Sequence, residues 1–193
     1  LEYVTRMPDA AGITEGKFDR VRGKDVLVVT GRFGFKTYDV SDPASIVEAM
    51  QGCDSAVYLV HGMADHDDYE YAEARDAENF ATAAEEAGLS RIVYLGGIKP
   101  PGRPSRHLGS RVRTGEILRA GHVPALELRA TMVIGPGSES WRIVRDLAAR
   151  LPFMLLPRWL DNRSQPIDIS DVVVAIRHAL LMEPARGRKI RLT

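Results

Sequence analysis

Apolar and polar positions alternate along this chain with two different periods. Short runs rich in β-branched and apolar residues, bounded by Gly, Pro, Asp or Ser, indicate buried strands at 1–5, 54–60, 90–96 and 125–135. Between them, apolar residues recur every three or four positions, which predicts helices at 43–50, 69–87, 110–120, 140–150 and 170–182. This alternation favours right-handed βαβ units, and therefore a mostly parallel sheet covered on both faces.

The ends of these helices carry local capping signals. Ser41 or Asp42 can cap the first helix ahead of Pro43, because proline suits the first helical position. Gly88 follows the second helix, at the position where glycine accepts a left-handed backbone. Ser170 is the predicted cap of the last helix. These signals define where the helices begin and end without reference to the rest of the fold.

The composition indicates one globular unit with a small-molecule partner. A chain of 193 residues with 45% hydrophobic content suits one domain, or one domain with a small lobe. No linker or low-complexity tract divides it, so we expect a single domain over 1–193 with a small C-terminal substrate lobe at 136–167. Lys and Arg number 26 and so do Asp and Glu, so neither nucleic acid nor an anionic membrane is the expected partner. No apolar run reaches the roughly 20 residues of a membrane span, since prolines and an arginine interrupt 151–160.

The chain has one cysteine, Cys53, which therefore cannot form an internal disulfide. This agrees with a reducing compartment, and we expect a cytoplasmic protein. Because Cys53 precedes a predicted strand, we expect it to be a small buried core residue rather than a nucleophile or metal ligand. The histidines show no paired metal-ligand spacing, so we predict no metal site.

Three segments carry a resemblance to a known family: YDVSDPASIVEAMQGCDSAVYLVHG (38–62), RIVYLGGI (91–98) and LRATMVIGPGS (128–138). In these segments the chain resembles the atypical short-chain dehydrogenase/reductases, close to the NmrA-like NAD(P)-binding proteins, and the likeness covers most of 36–182. The resemblance implies an α/β fold with a doubly wound, mostly parallel, Rossmann-like sheet. It also implies NADP or NAD as cofactor.

The resemblance assigns cofactor contacts to the ends of predicted strands. Arg6 would face the adenosine 2′-phosphate of NADP, since a guanidinium grips phosphate oxygens with two donors; a surface loop arginine is the alternative. Asp39, with Val40 beside it, would accept a hydrogen bond from the adenine amino group. The alternative is that Asp39 is a turn residue. The remaining contacts predicted in this way are Val60, His61, Gly62, Gly96 and Gly97.

At the catalytic positions the sequence departs from the family pattern. Typical members have a Ser near the end of the strand that corresponds to 90–96 here, and a Tyr-x-x-x-Lys pair after it. This chain has Gly97 and, at the matching spacing, His107 and Arg111 in HLGSR. Residues four apart share a helix face, so His107 could exchange the proton while Arg111 binds ribose or phosphate. A helix-start histidine and a solvated arginine are the alternative.

The Gly-rich phosphate turn of the family has no clear counterpart. No strand, turn and helix precede 1–5, so we expect the first strand–helix unit to be missing; the sheet edge this exposes would need a partner or a homodimer. TGRFGF (30–35) matches the family's Thr-Gly-x-x-Gly-Phe, but no helical pattern follows it. We therefore predict extended structure over 26–40, with a hairpin pivoting on Gly31 to Gly34, and keep phosphate binding there as the alternative.

Three functions remain open on the sequence. The first is an NAD(P)-dependent oxidoreductase that transfers a hydride to or from a small carbonyl, enone or quinone. In it Trp141, Arg158 and Trp159 would line the substrate pocket, with ordinary packing as their alternative. The second is a non-catalytic NAD(P)-binding redox sensor or structural module, which the missing Ser and Tyr-Lys pair favour. The third is a scaffold that holds no dinucleotide.

Overall fold

A computed structural model describes residues 15–21, 24–31, 34–35, 41–60, 69–99, 102, 104–135, 138–150, 165–183 and 189–192. Its strands are β1 (Glu15–Val21), β2 (Lys24–Gly31), β3 (Gly34–Phe35), β4 (Ser55–Tyr58), β5 (Arg91–Gly97), β6 (Ala125–Ala130), β7 (Met132–Ile134), β8 (Pro166–Asp168) and β9 (Lys189–Arg191). Its helices are α1 (Pro43–Met50), α2 (Tyr69–Glu86), α3 (Arg106–Ala120), α4 (Glu139–Arg150) and α5 (Ile169–Leu181).

The main sheet is parallel and has the strand order β4-β5-β6-β9. Ile92 and Tyr94 of β5 share one apolar core with Ile46 of α1, Phe80 of α2 and Leu118 of α3. The opposite face of the sheet packs against α5. The members of this second core include Val93, Leu126 and Leu128 of the sheet and Val172 and Ile176 of α5. Helices therefore cover both faces, which confirms the predicted doubly wound α/β fold.

The N-terminal described segments form a separate antiparallel sheet in the order β1-β2-β3. Thr30 pairs with Phe35 and Gly31 pairs with Gly34. The predicted hairpin at Gly31 to Gly34 is thus confirmed. The strand predicted at 1–5 lies outside the described residues.

The local capping signals account for the ends of α1 and α2. The Asp42 side chain accepts a hydrogen bond from the Ala44 N–H at 3.1 Å, which selects Asp42 over Ser41 as the cap. Gly88 has φ +72°, the left-handed conformation expected after α2. The predicted cap of α5 was wrong, because Asp168 precedes the helix and its carboxylate accepts from the Ser170 N–H at 2.8 Å.

Two other predictions are corrected by the fold. Cys53 is exposed, because it lies in the turn that follows α1 and the strand begins only at Ser55. The single strand predicted at 125–135 is two strands, which break at Thr131. The first, β6, belongs to the main sheet, and the second, β7, pairs with β8 instead.

Candidate functional site

The carboxyl ends of β4, β5 and β6 lie at the same edge of the main sheet, because the three strands are parallel. Val60 follows β4 by two residues and packs against the core shared with α1, α2 and α3. Ligands of open α/β sheets bind in the crevice outside these strand ends. The described cofactor residues, Val60, Gly96 and Gly97, all lie at this edge.

Gly96 and Gly97 are buried, and side chains from β6 and α3 approach them closely. A Cβ on Gly96 would lie 2.7 Å from Glu127 Oε1, and a Cβ on Gly97 would lie 2.6 Å from Leu108 Cδ1. Both distances are shorter than real Cβ contacts. The side-chain space at these two glycines is therefore already filled by the protein, and only their backbone is left to contact a cofactor.

His107 and Arg111 lie one helical turn apart on α3, as the spacing predicted. The helix begins earlier than predicted because Ser105 caps it, its Oγ accepting from the Leu108 N–H at 3.3 Å. His107 is exposed in the first turn. Arg111 is half-buried, and its Nη2 donates to the Leu95 carbonyl oxygen at 3.2 Å. The structure therefore brings Arg111 to the end of β5 and leaves His107 at the surface.

The guanidinium of Arg111 has a donor without a counterpart. Its Nε is buried and has no hydrogen-bond partner among the residues that the structure describes. A buried N–H without an acceptor is unfavourable, so a ligand oxygen that reached it would stabilise the complex. Arg111 at the sheet edge thus fits a ribose hydroxyl or a phosphate oxygen of a dinucleotide.

Tyr94, which the sequence analysis did not single out, holds α3 against the sheet. Its ring is almost completely buried, and its hydroxyl donates to the Arg111 carbonyl oxygen at 2.9 Å. Burial raises the pKa of the Tyr94 hydroxyl, while the Arg111 charge acts in the opposite direction. The phenol therefore stays protonated and positions the backbone of the residue that carries the Arg111 guanidinium.

A second buried polar contact joins α2 to α3. Ser110 Oγ donates to Glu73 Oε2, and both residues are almost completely buried. The signal in the sequence is a polar residue on the inward face of each helix, at Glu73 and at Ser110. A buried carboxylate needs such a partner, so this contact specifies how the two helices pack.

A buried ion cluster lies beneath α3. The Glu127 side chain is 1% exposed and accepts from Arg119 Nη1 and, at 2.9 Å, from Arg129 Nε. Gly96 and Gly115 make room for this carboxylate, since a Cβ on either glycine would lie less than 3 Å from Glu127 Oε1. The available signal was a pair of charged residues two positions apart, at 127 and 129, within an apolar strand, and it was not recognised.

A groove of about 530 Å³ lies between the first turns of α2 and α3. Its walls include Glu70, Arg106 and Arg113, and Arg106 Nε contacts Glu70 Oε1 at 3.1 Å. Residues of the two helices line the groove, together with Pro104 and Ser105, which precede α3.

The predicted substrate residues are only partly described. Trp141 lies in the first turn of α4, 40% exposed, and its backbone N–H donates to Ser138 Oγ at 3.3 Å. Ser138 Oγ also donates a hydrogen bond to the Val133 carbonyl oxygen at 2.9 Å. This bond connects the start of α4 to β7. The remaining predicted site residues lie outside the described residues: Arg6, Asp39, Val40, His61, Gly62, Arg158 and Trp159.

Two other kinds of site have no candidates among the described residues. No group of three His, Cys, Asp or Glu side chains in the described segments is arranged to hold a metal ion. None of the described helices combines the length and the apolar character needed to cross a membrane.

A family model described as NAD(P)H-binding matches residues 28–133, more than half of the 193 residues. The chain belongs to this NAD(P)H-binding family. Its cofactor class is therefore NAD(P), and the predicted resemblance to NAD(P)-binding short-chain dehydrogenase/reductases is confirmed at this level. The buried Nε of Arg111, which has no partner among the described residues, fits such a cofactor.

Several solved structures share the fold at low sequence identity. The enzyme WbmG of Bordetella bronchiseptica, in complex with NAD, has a TM-score of 0.60 and 20% identity, over 80% of this chain and 56% of WbmG. The dTDP-glucose 4,6-dehydratase DesIV of Streptomyces venezuelae, with NAD bound, has a TM-score of 0.65 and 16% identity, over 79% of this chain and 56% of DesIV. A nucleoside-diphosphate-sugar epimerase of Staphylococcus aureus has a TM-score of 0.62 and 18% identity, over 80% and 53%.

This chain thus spans little more than half the length of these enzymes. No curated protein matches its sequence.

Proposed function

We propose that this domain is an NAD(P)-dependent oxidoreductase that transfers a hydride to or from a small carbonyl, enone or quinone. The observation that carries the proposal is the position of Arg111, whose guanidinium lies 3.2 Å from the Leu95 carbonyl at the end of β5, one helical turn after His107. This position suits a residue that binds the cofactor, and His107 is the proposed residue for the proton exchange.

Each residue has a defined task in this proposal. Arg111 binds a ribose or phosphate oxygen through the Nε that is buried without a partner among the described residues. Val60 and the backbone of Gly96 and Gly97 form the floor of the nicotinamide site. When bound, the reduced nicotinamide supplies the hydride. His107 donates a proton to the substrate oxygen as that oxygen gains negative charge.

Further residues complete the proposal from the sequence. Arg6 and Asp39, with Val40, would hold the adenosine half of the cofactor, and His61 and Gly62 would extend the nicotinamide site. The proposed substrate contacts are Trp141, Arg158 and Trp159. The same proposal includes a cytoplasmic location and a homodimer. It also includes the narrower relationship to NmrA-like proteins and a substrate lobe at 136–167.

A second candidate function is a non-catalytic NAD(P)-binding redox sensor or structural module. The contact between Gly97 and Leu108 favours it, because Leu108 occupies the space that a serine side chain at 97 would need. The exposure of His107 favours it too, since an imidazole open to water is poorly placed to direct a proton.

The first test is a titration of the purified domain with NADPH and NADH, followed by fluorescence and thermal shift. Turnover is then measured with carbonyl and quinone substrates. Nucleotide sugars join the panel, because a dTDP-glucose 4,6-dehydratase and a sugar epimerase share the fold. Preference for NADPH would support Arg6. Failure of a folded domain to bind either cofactor would contradict the proposal.

The second test separates the enzyme from the sensor. His107→Ala should reduce kcat by about 10²-fold or more, the usual contribution of a general acid, and leave the Kd for the cofactor unchanged. His122→Ala removes another exposed histidine and is the matched control. Arg111→Gln should weaken cofactor binding, with Arg113→Gln on the same helix as its control. Cofactor binding without turnover on any substrate would favour the sensor.

A further inference from the structure

A group of positive charges surrounds the buried Glu127 on the side of the main sheet that α3 covers. Arg119 and Arg129 both bond the Glu127 carboxylate. Lys189 of β9 is paired in register with Glu127, which directs both side chains to the same face of the sheet. Lys99 follows β5, is exposed, and belongs to the group because its charge acts on Lys189. We call these four residues the basic cluster: Lys99, Arg119, Arg129 and Lys189.

The charges of the basic cluster are not balanced within the described part of the chain. Two carboxylates act on it, Glu127 at the centre and Glu116 on the outer side of α3. Repulsion, chiefly from Arg119, lowers the pKa of the Lys189 ammonium, and burial and Arg129 add to the effect. Arg191, paired in register with Arg129, adds a further cation, which donates to Gln165 Oε1 at 2.7 Å.

The two arginines are held in place before any ligand arrives. Their side chains are only 10% and 17% exposed, and Glu127 orients both guanidinium groups. Glu127 is itself confined by the close approach of Gly96 and Gly115. Each guanidinium has five N–H donors, and the hydrogen bonds to Glu127 use one of them on Arg119 and two on Arg129. Preorganised donors with spare capacity are the usual basis of oxyanion binding.

We propose that the basic cluster binds a multiply charged oxyanion, of the phosphate class, on the face of β6 and β9 beside α3. Arg119 and Arg129 supply planar donors at the base of this site, and Lys189 and Lys99 supply mobile ammonium groups at its rim. The site is distinct from the proposed contact of Arg111 with the cofactor, because Arg111 bonds the end of β5 and not Glu127.

Isothermal titration with inorganic phosphate at constant ionic strength tests the proposal, with chloride as the reference anion. Lys189→Gln should weaken phosphate binding about tenfold, the effect of losing one charge-assisted hydrogen bond, and Lys99→Gln should act in the same direction. Both lysines are exposed, so the variants should fold normally. Arg177→Gln removes one exposed charge from α5 on the opposite face and is the matched control.

NMR titration of the Lys189 ammonium gives an independent measurement. Phosphate should raise the pKa of Lys189, because an anion favours the charged form. A phosphate monoester that binds more tightly than inorganic phosphate, through the same lysines, would identify the natural ligand as an ester; the reverse order would identify the free ion. The proposal is overturned if chloride binds equally well, or if Arg111→Gln abolishes phosphate binding while Lys189→Gln leaves it intact.

Discussion

Replacing Glu127 with Gln tests whether the buried carboxylate is needed to keep Arg119 and Arg129 together under α3. The substitution keeps the shape of the side chain and removes its charge. The two guanidinium groups, only 10% and 17% exposed, would then face each other without a carboxylate between them. An amide can accept a hydrogen bond from one of them but cannot offset their repulsion.

The expected loss follows from this geometry. Removing one partner from a buried ion pair destabilises a protein by about 3–5 kcal/mol. We expect the lower end, about 3 kcal/mol, because both arginines retain some contact with water. In a domain of this size each kcal/mol corresponds to about 2–4 °C, so Tm should fall by about 6–12 °C.

Urea denaturation followed by circular dichroism measures this loss directly. Glu78→Gln on the exposed side of α2 is the matched control, and its effect should stay within about 0.5 kcal/mol. Adding Arg119→Met to Glu127→Gln should cost about 0.5–3 kcal/mol less than the sum of the two single changes, since one unpaired charge is removed. A loss below about 1 kcal/mol for Glu127→Gln alone would refute the role given to the carboxylate.

Two further predictions concern β5 and α5. Gly97→Ser should lower the free energy of unfolding by about 1–2 kcal/mol, because its Cβ would meet Leu108 Cδ1 at 2.6 Å; urea denaturation should show the loss reduced when Leu108→Ala is added. The hydrogen bond from the Ser170 N–H lowers the pKa of Asp168 in the folded state. Its stabilising effect is therefore present above the unfolded value of about 3.9 and lost as pH falls through the lower folded value. Thermal scans of wild type and Asp168→Ala should accordingly converge below about pH 4, and a constant difference in Tm would contradict this.

Local signals were sufficient to predict most of the helices. Asp42 with Pro43 gives the start of α1, and Gly88 gives the end of α2, because a cap depends on only a few neighbouring residues. Cys53 was placed wrongly because its burial depends on where the turn ends and β4 begins, which composition does not show. The break at Thr131 depends on which strand offers a partner, and that is decided by the whole fold.

The candidate site was predictable in outline but not in its supporting contacts. The spacing of His107 and Arg111 placed them on one helix face, since helical periodicity alone requires it. The buried partners could not be assigned in the same way. Glu127 contacts Arg119 only when α3 packs on β6. Glu73 contacts Ser110 only when α2 and α3 lie side by side. Both contacts join residues brought together by tertiary packing.

The helix α5, which packs on the main sheet, and the strand β9, which lies at its edge, are both made late in the synthesis of the chain. The face formed by Val93, Leu126 and Leu128 is covered by α5, and β6 receives its outer neighbour only when β9 is made. About 60 residues separate the end of β6 from β9, which ribosomes translate in roughly 3–12 s. Until α5 emerges within that interval, the nascent sheet carries an open apolar face, so a chaperone that shields aliphatic surface should bind it.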